Sequence, residues 1–317
     1  MWPLLAQAAG DGDSFRNTID NLARTPLSVV LEWVAVVTVI RVVIYFLQKD
    51  IPVHKRSGSY ALGRFFSELF DAIVYAGVFV FMIIRPFFVQ AFLIPSGSMV
   101  STLLVNDFIV ANKAVYRYSD PQVGDIVVFR PPKRACNASQ LDKNGEVNVD
   151  FIKRCIGTPG DLIEVRNHIL YRNGKEVVEP YKHFTVPDPP GQVDTFRELT
   201  KDEVDNENFN PKIDFKLVEF NGKIMPVDYD GSLVNSNGWV APEYEADDEP
   251  TMAKLKSLPP VPVPKGYYLF MGDNRNGSFD SRGWGLVPRE SIIGRSEVIW
   301  LPISRWSRTL SNHGETK

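Results

Sequence analysis

The 317-residue chain has only two cysteines, Cys136 and Cys155, and only four histidines. No C-x-x-C pair occurs and the histidines are widely spaced, which excludes zinc-finger and zincin sites. Excess charge of one sign is also missing. Thirty-five Lys and Arg face 38 Asp and Glu, a net charge of −3, so no basic surplus points to nucleic acid. There is no G-x-S-x-G elbow and no Walker loop. His54 and His313 lie far from the other candidate residues, and neither His168 nor His183 has a triad-like neighbourhood. What is present is an ordinary globular share of apolar and charged residues, 44% and 23%. The apolar share is concentrated in the first ninety-odd residues.

Two apolar segments there qualify as membrane helices. One spans 26–47, "PLSVVLEWVAVVTVIRVVIYFL", and the other 69–88. Glu32, Arg41, Asp71 and Arg85 are read as lying toward the segment ends, where they can snorkel or sit among headgroups. The connection, 48–68, carries Lys49, Lys55, Arg56 and Arg64, whereas the tail, 1–25, carries Arg16 and Arg24. By the positive-inside rule the connection is cytoplasmic and everything after Arg85 lies outside. "MWPLLAQAAGDG" has a small-x-small pattern at Ala6 and Ala8. Its apolar stretch is too short for a cleaved signal, and no basic n-region precedes it.

After Ser101 the texture becomes short apolar or alternating runs cut by Gly, Pro, Asn and Asp, including "GDIVVFRPP", "DFIKRCIGTPGD" and "YYLFMGDNR". Asn173-Gly174 between "ILYR" and "KEVV" signals a hairpin. No helix longer than two turns is expected here. The pattern predicts a membrane-anchored, mainly antiparallel β protein. Its β part spans 89–183 and 265–317. An excursion at 184–264 is bracketed by Pro187, Pro189, Pro190, Pro259, Pro260, Pro262 and Pro264. The acidic run "EYEADDEP" within it reads as a solvated face.

One turn could hold a nucleophile. "IPSGSMVSTL", Ile94 to Leu103, follows the second span and places small residues around its hydroxyls. A serine hydroxyl needs a base. With histidine set aside, a lysine serves if it is neutral, and desolvation on an apolar strand lowers a lysine pKa. Lys153 in "DFIKRCIG" fits. Alternation puts it on the face opposite Ile152 and Arg154 and on the same face as Cys155.

Taken in order, "PSGSMVSTL", "GDIVVFRPP", "FIKRCIGTPGD" and "GDNRNGSFDSRGWGLVP" (Gly272 to Pro288) resemble the four boxes of the bacterial type I signal peptidases, or leader peptidases. The resemblance implies two N-terminal transmembrane helices and an antiparallel β catalytic domain with an inserted second β subdomain. It implies a membrane-bound serine endopeptidase that removes signal peptides from exported preproteins. Ser98 matches the nucleophile and Lys153 the general base. Ser96 matches the oxyanion-hole serine and Ser278 the serine that orients the lysine. Asp280 with Arg282, and Asp273 with Arg154, match supporting charged pairs. Ile94, Pro95 and Ile152 are expected to line shallow substrate pockets. No metal or cofactor is implied. The implied partners are preproteins and membrane lipid, not nucleic acid. The implied location is the bacterial inner membrane, multi-pass, with the catalytic domain on the periplasmic face. Ser101 stands where the family often has proline, Asn276-Gly277 replaces a usual Asp-Asn, and Phe279 replaces a small residue and is expected to narrow the site.

Two rival readings are a self-cleaving Ser-Lys repressor and a non-enzymatic membrane-anchored β module. The spans and the lack of a DNA-binding domain oppose the first, and the presence of both Ser98 and Lys153 opposes the second. A Cys136–Cys155 disulfide would suit an oxidising compartment, but Cys155 shares the face of Lys153. There a free thiol packs beside the lysine stem and helps to desolvate it, and this reading is preferred.

Overall fold

A computed structural model describes residues 25, 27–49, 52, 58–188, 195–204, 214–231 and 249–308. The tail arginines, His54, Lys55, Arg56, Pro189, Pro190, most of the acidic run and His313 lie outside the described residues. The chain divides into two compact units between Phe92 and Leu93.

Among the described residues, the first unit is built on two helices, α1 (Leu27–Lys49) and α2 (Gly58–Val78). The second continues through a π-helical stretch, Phe79–Ile84, and a short turn, Arg85–Phe87. Their apolar windows are Ser28–Lys49, 22 residues of mean hydropathy 2.2, and Tyr60–Ile84, 25 residues of mean hydropathy 1.9. At 1.5 Å per residue the shorter window reaches about 33 Å, enough for a hydrocarbon core of roughly 30 Å. Trp33, Leu47 and Tyr75 stand exposed, as lipid-facing side chains do. The helices pack together, and Gln48 Nε2 donates to the Tyr60 carbonyl (3.2 Å).

The second helix corrects the sequence reading. It begins at Gly58 rather than at Leu69, so Asp71 lies in mid-helix and not toward an end. Arg64 and Glu68 interrupt the apolar run and mask its start. Four residues apart on a helix, they form an ordinary pair at 2.9 Å. Asp71 in turn is paired with Arg41 of α1. Neither snorkels out of the bundle alone.

A strand, β1 (Val89–Leu93), carries the chain into the second unit. There β2 (Phe108–Asn112), β3 (Ile126–Phe129), β4 (Phe151–Gly157), β12 (Tyr267–Met271), β13 (Val287–Pro288) and β14 (Ile292–Leu301) form an antiparallel sheet in the order β2-β14-β3-β4-β12-β13. A second sheet has β5 (Ile163–Arg166), β6 (Ile169–Arg172), β7 (Lys175–Glu176), β10 (Phe215–Phe220) and β11 (Lys223–Val227), in the order β11-β10-β5-β6-β7. A two-stranded ribbon pairs β8 (Thr185–Pro187) with β9 (Phe196–Glu198).

Alternation along β12 ties these sheets together. Leu269 and Met271 join Ile156, Ile163, Val165, Phe215 and Leu217 in one core. Tyr268 and Phe270 face the other way, with Phe129, Cys155 and Trp284. Asn173-Gly174 makes the expected tight turn, with φ of 55° and 79°, and Asn221-Gly222 makes another between β10 and β11 at 51° and 74°.

Two differences concern the excursion. Its β10 pairs with β5, Phe215 opposite Val165, so the second sheet starts well before residue 184. A helix of nine residues, Glu249–Ser257, also breaks the expectation of no helix beyond two turns. Among its described side chains Leu255 is the buried one, and it seals a small core of Val218, Met225 and Val227, too sparse a stripe to read from sequence. Cys136 and Cys155 are both free, as preferred above.

Candidate active site

The turn after β1 is held at its base by two hydrogen bonds. Ile94 N donates to the Asp107 carbonyl and Asn106 N donates to that of Ile94, both at 2.9 Å. Ser96 is extended, and Gly97–Met99 closes a single 3₁₀ turn. Met99 and Leu103, fully buried, anchor it. Asn274 grips the turn from the far end of the chain. Its backbone N–H donates to the Ser98 carbonyl (3.2 Å) and its Nδ2 to that of Gly97 (3.0 Å). Farther along, Thr102 Oγ1 donates to Asp273 (2.5 Å). Asp107 caps the Leu104 N–H (2.8 Å) and receives Arg305, whose Nε lies 2.9 Å from Asp107 Oδ1.

Lys153 enters from β4, opposite Val127 of β3. Its Nζ lies 2.7 Å from Ser98 Oγ and donates to the Ile152 carbonyl at 3.0 Å. Lys153 is 5% exposed and Ser98 7%. Burial pushes the amine down to about 8; Asp280 and Asp273 pull the other way, and Arg282 adds to the lowering. An amine that releases its proton near 8 is within reach of a general base at neutral pH.

The next residue on the strand is treated differently. Arg154 holds Asp273 with two hydrogen bonds, 2.8 and 2.6 Å, donates to the Gly124 carbonyl (2.9 Å) and lies 4.0 Å over the Tyr181 ring. Two more buried pairs brace the 272–282 loop. Arg282 grips Asp280 at 2.8 and 2.7 Å and donates to the Arg275 carbonyl at 2.7 Å. Arg275 holds Glu179 and donates to the Gly272 carbonyl at 2.9 Å. Burial would raise the Asp280 carboxyl, but Arg282 and the Gly272 N–H hold it below its ordinary value.

Gly272 shows how tightly the loop meets the turn. A Cβ there would fall 2.5 Å from both the Ser98 carbonyl oxygen and Ser278 Cβ. Ser278 is thus beside Ser98 and fully buried. Ser96 Oγ is 3.4 Å from Ser98 Oγ. Of the expected pocket residues, Ile94 is closed off in the core at 2% exposure, whereas Pro95 and Ile152 keep open surface. Phe279 packs edge-on against Trp284, ring centroids 5.0 Å apart, on the margin of the core that holds Cys155.

The structure therefore brings Ser96, Ser98, Lys153, Arg154, Asp273, Ser278, Asp280 and Arg282 into one neighbourhood. Sequence reasoning missed Asn274, Arg275, Thr102 and Glu179. The first two were inside the quoted "GDNR" run, but nothing there assigned them a partner. Glu179 gave no signal, because its partner is 96 residues away.

A family model described as signal peptidase, peptidase S26, matches residues 66–301. The chain is 31% identical over 254 residues to signal peptidase I of Buchnera aphidicola subsp. Schizaphis graminum, covering 72% of each protein. It is 36% identical over 225 residues to signal peptidase I of Aquifex aeolicus, covering 69% of this chain and 78% of that one. With signal peptidase I of Pseudomonas fluorescens the identity is 30% over 249 residues, covering 71% and 69%.

Proposed function

Since the chain belongs to the signal peptidase S26 family, we propose that its chemistry runs through Ser98 and Lys153. The protein is a membrane-anchored serine endopeptidase that removes signal peptides from preproteins. One observation carries the residue assignment: a buried amine, lowered to about 8, lies 2.7 Å from a serine hydroxyl. A binding module has no use for such a pair.

In its neutral form Lys153 accepts the Ser98 proton as Ser98 Oγ bonds to the scissile carbonyl carbon. The oxyanion is met by Ser96 Oγ and the Ser98 N–H. The carbon–nitrogen bond then breaks, and Lys153 returns its proton to the leaving amine. Water, deprotonated by Lys153, attacks the acyl ester and releases Ser98. Ser278, buried beside Ser98, orients the amine. The pairs Arg154–Asp273 and Arg282–Asp280 fix the strand and the loop around it. Pro95 and Ile152 offer the substrate apolar surface.

The orientation belongs to the same proposal, as does an excursion at 184–264 whose β10 and β11 extend the sheet begun by β5, β6 and β7. Lys49 and Arg64 flank a cytoplasmic connection, and the β unit stands on the outer face of the inner membrane. Protease added to intact spheroplasts is expected to cut the β unit and spare the connection. For the chemistry, Ser98→Ala and Lys153→Ala are each expected to lower preprotein cleavage by about 10⁴-fold or more, and His168→Ala is not. Full activity in Lys153→Ala would overturn the assignment.

A further inference from the structure

Gly97 lies between the two groups assigned to the oxyanion, and the space where its side chain would stand is already filled. A Cβ there would run into Cζ of Phe196, with Cε1 and Cε2 at 2.7 and 2.9 Å. Gly97 is not among the residues with positive φ. Glycine here leaves room for the ring and is not called for by backbone shape.

Phe196 comes from β9 of the ribbon, which pairs with neither large sheet. It is half-buried and joins none of the cores described above. A phenyl ring held at the surface against the nucleophile turn is therefore not there to fill a core. Its position is set by the loop that braces the dyad. His183 N donates to the Asp273 carbonyl and Arg275 N to that of His183, both at 2.9 Å. The Asn276 side chain brackets the Thr185 backbone, accepting from its N–H (2.8 Å) and donating to its carbonyl (2.7 Å). His183 also pairs with Glu198 of β9. The ring is thus indexed to Ser98 through the same loop that carries Asp273 and Ser278.

We propose that Phe196 is a specificity-determining residue. It forms an apolar wall beside Ser98 and limits the bulk of the preprotein side chain that lies against Gly97 during acylation. A substrate carbonyl that reaches Ser98 Oγ brings its own chain along Ser96–Ser98, so a neighbouring side chain directed at the turn meets the ring. The proposal deepens the Ser98–Lys153 reading and rests on it. Hydrophobic pockets discriminate by size about 10–200-fold per small group, and the loss of a whole ring lies within that range.

The test uses full-length enzyme in detergent and a peptide panel with Ala, Leu or Phe at each of three positions on either side of the scissile bond. In Phe196→Ala, the kcat/KM ratio of bulky to Ala peptide is expected to rise about tenfold or more at one position only. Phe196→Tyr is expected to keep the wild-type ratio. Gly97→Ala is expected to impair the wild-type enzyme and to be largely rescued in the Phe196→Ala background, because the clash is with that ring. A ratio unchanged at every position, or Gly97→Ala equally impaired in both backgrounds, overturns the proposal. Cleavage by Ser98→Ala would instead sink the dyad reading, whatever Phe196 does.

Discussion

In the helical unit a charge in apolar surroundings is matched across the helix pair, Arg41 on α1 with Asp71 on α2. In the β unit, two neighbours on one strand divide the possibilities. Arg154, a guanidinium, is met by both carboxylate oxygens of Asp273. Lys153, equally buried, meets a hydroxyl and a carbonyl, and gives up its proton near 8. Burial alone does not decide what an ionisable side chain becomes; its own basicity and its partner do as well. A base is made by burying a lysine and withholding a carboxylate from it.

The matched side of this contrast is the most costly to break. Asp273→Ala leaves Arg154, 1% exposed, without its counter-charge, and is expected to cost about 3–5 kcal/mol, read from the urea midpoint of the β unit's transition. Arg154→Met with Asp273→Leu is expected to recover most of that loss. If the single and double variants are equally destabilised, pairing is not what matters.

Where charge is withheld in the ground state, it must be met when it appears. Ser96→Ala is expected to lower kcat by about 10²–10³-fold with little change in KM, about 3 kcal/mol of transition-state stabilisation. Steady-state kinetics on one peptide checks it, and an unchanged kcat would assign Ser96 to the turn alone.

The unmatched side carries a cost of its own. Lys153 titrates near 8 folded against 10.5 unfolded. Below 8 both states hold the proton and the fold bears the whole cost of burying it. Between 8 and 10.5 the unfolded chain binds more protons, so stability rises with pH. Lys153→Met is therefore expected to be more stable at pH 7, by up to about 3 kcal/mol, and the gain is expected to vanish by pH 10.5. Denaturation across that range measures it. The wild-type rate is expected to rise through a limb near 8, with activity lost on the acid side.

The smallest effect is expected in the membrane. Asp71→Asn strands Arg41 and is expected to cost about 1–2 kcal/mol, measured by thermal unfolding in mild detergent. Adding Arg41→Gln is expected to restore it.

The same contrast explains what could be read in advance. Two apolar runs announce helices by composition. A serine turn and a lysine on an apolar strand announce chemistry once the four boxes are seen in order. What stayed hidden was pairing. Nothing local says that Asp71 faces Arg41, that Glu179 waits for Arg275, or that β10 will pair with β5. The bond from Arg154 to Asp273 spans 119 residues, and no periodicity records a partner at that range. Ile94, 2% exposed, shows the same limit. An apolar residue beside a nucleophile is as ready to fill the core as to line a pocket.

The grip of Arg305 on Asp107 has a consequence for the order of synthesis. The two residues are 198 apart in the chain. At about 5–20 residues per second, a ribosome takes roughly 10–40 s to pass from one to the other. Through that interval Ser98 has already been made, yet the loop behind it lacks its clasp. Asp273 and Asn274, which hold the turn from the far end of the chain, also arrive late. A nascent copy threading its helices into the bilayer beside emerging preproteins is thus without an assembled nucleophile turn until almost the last strand is out.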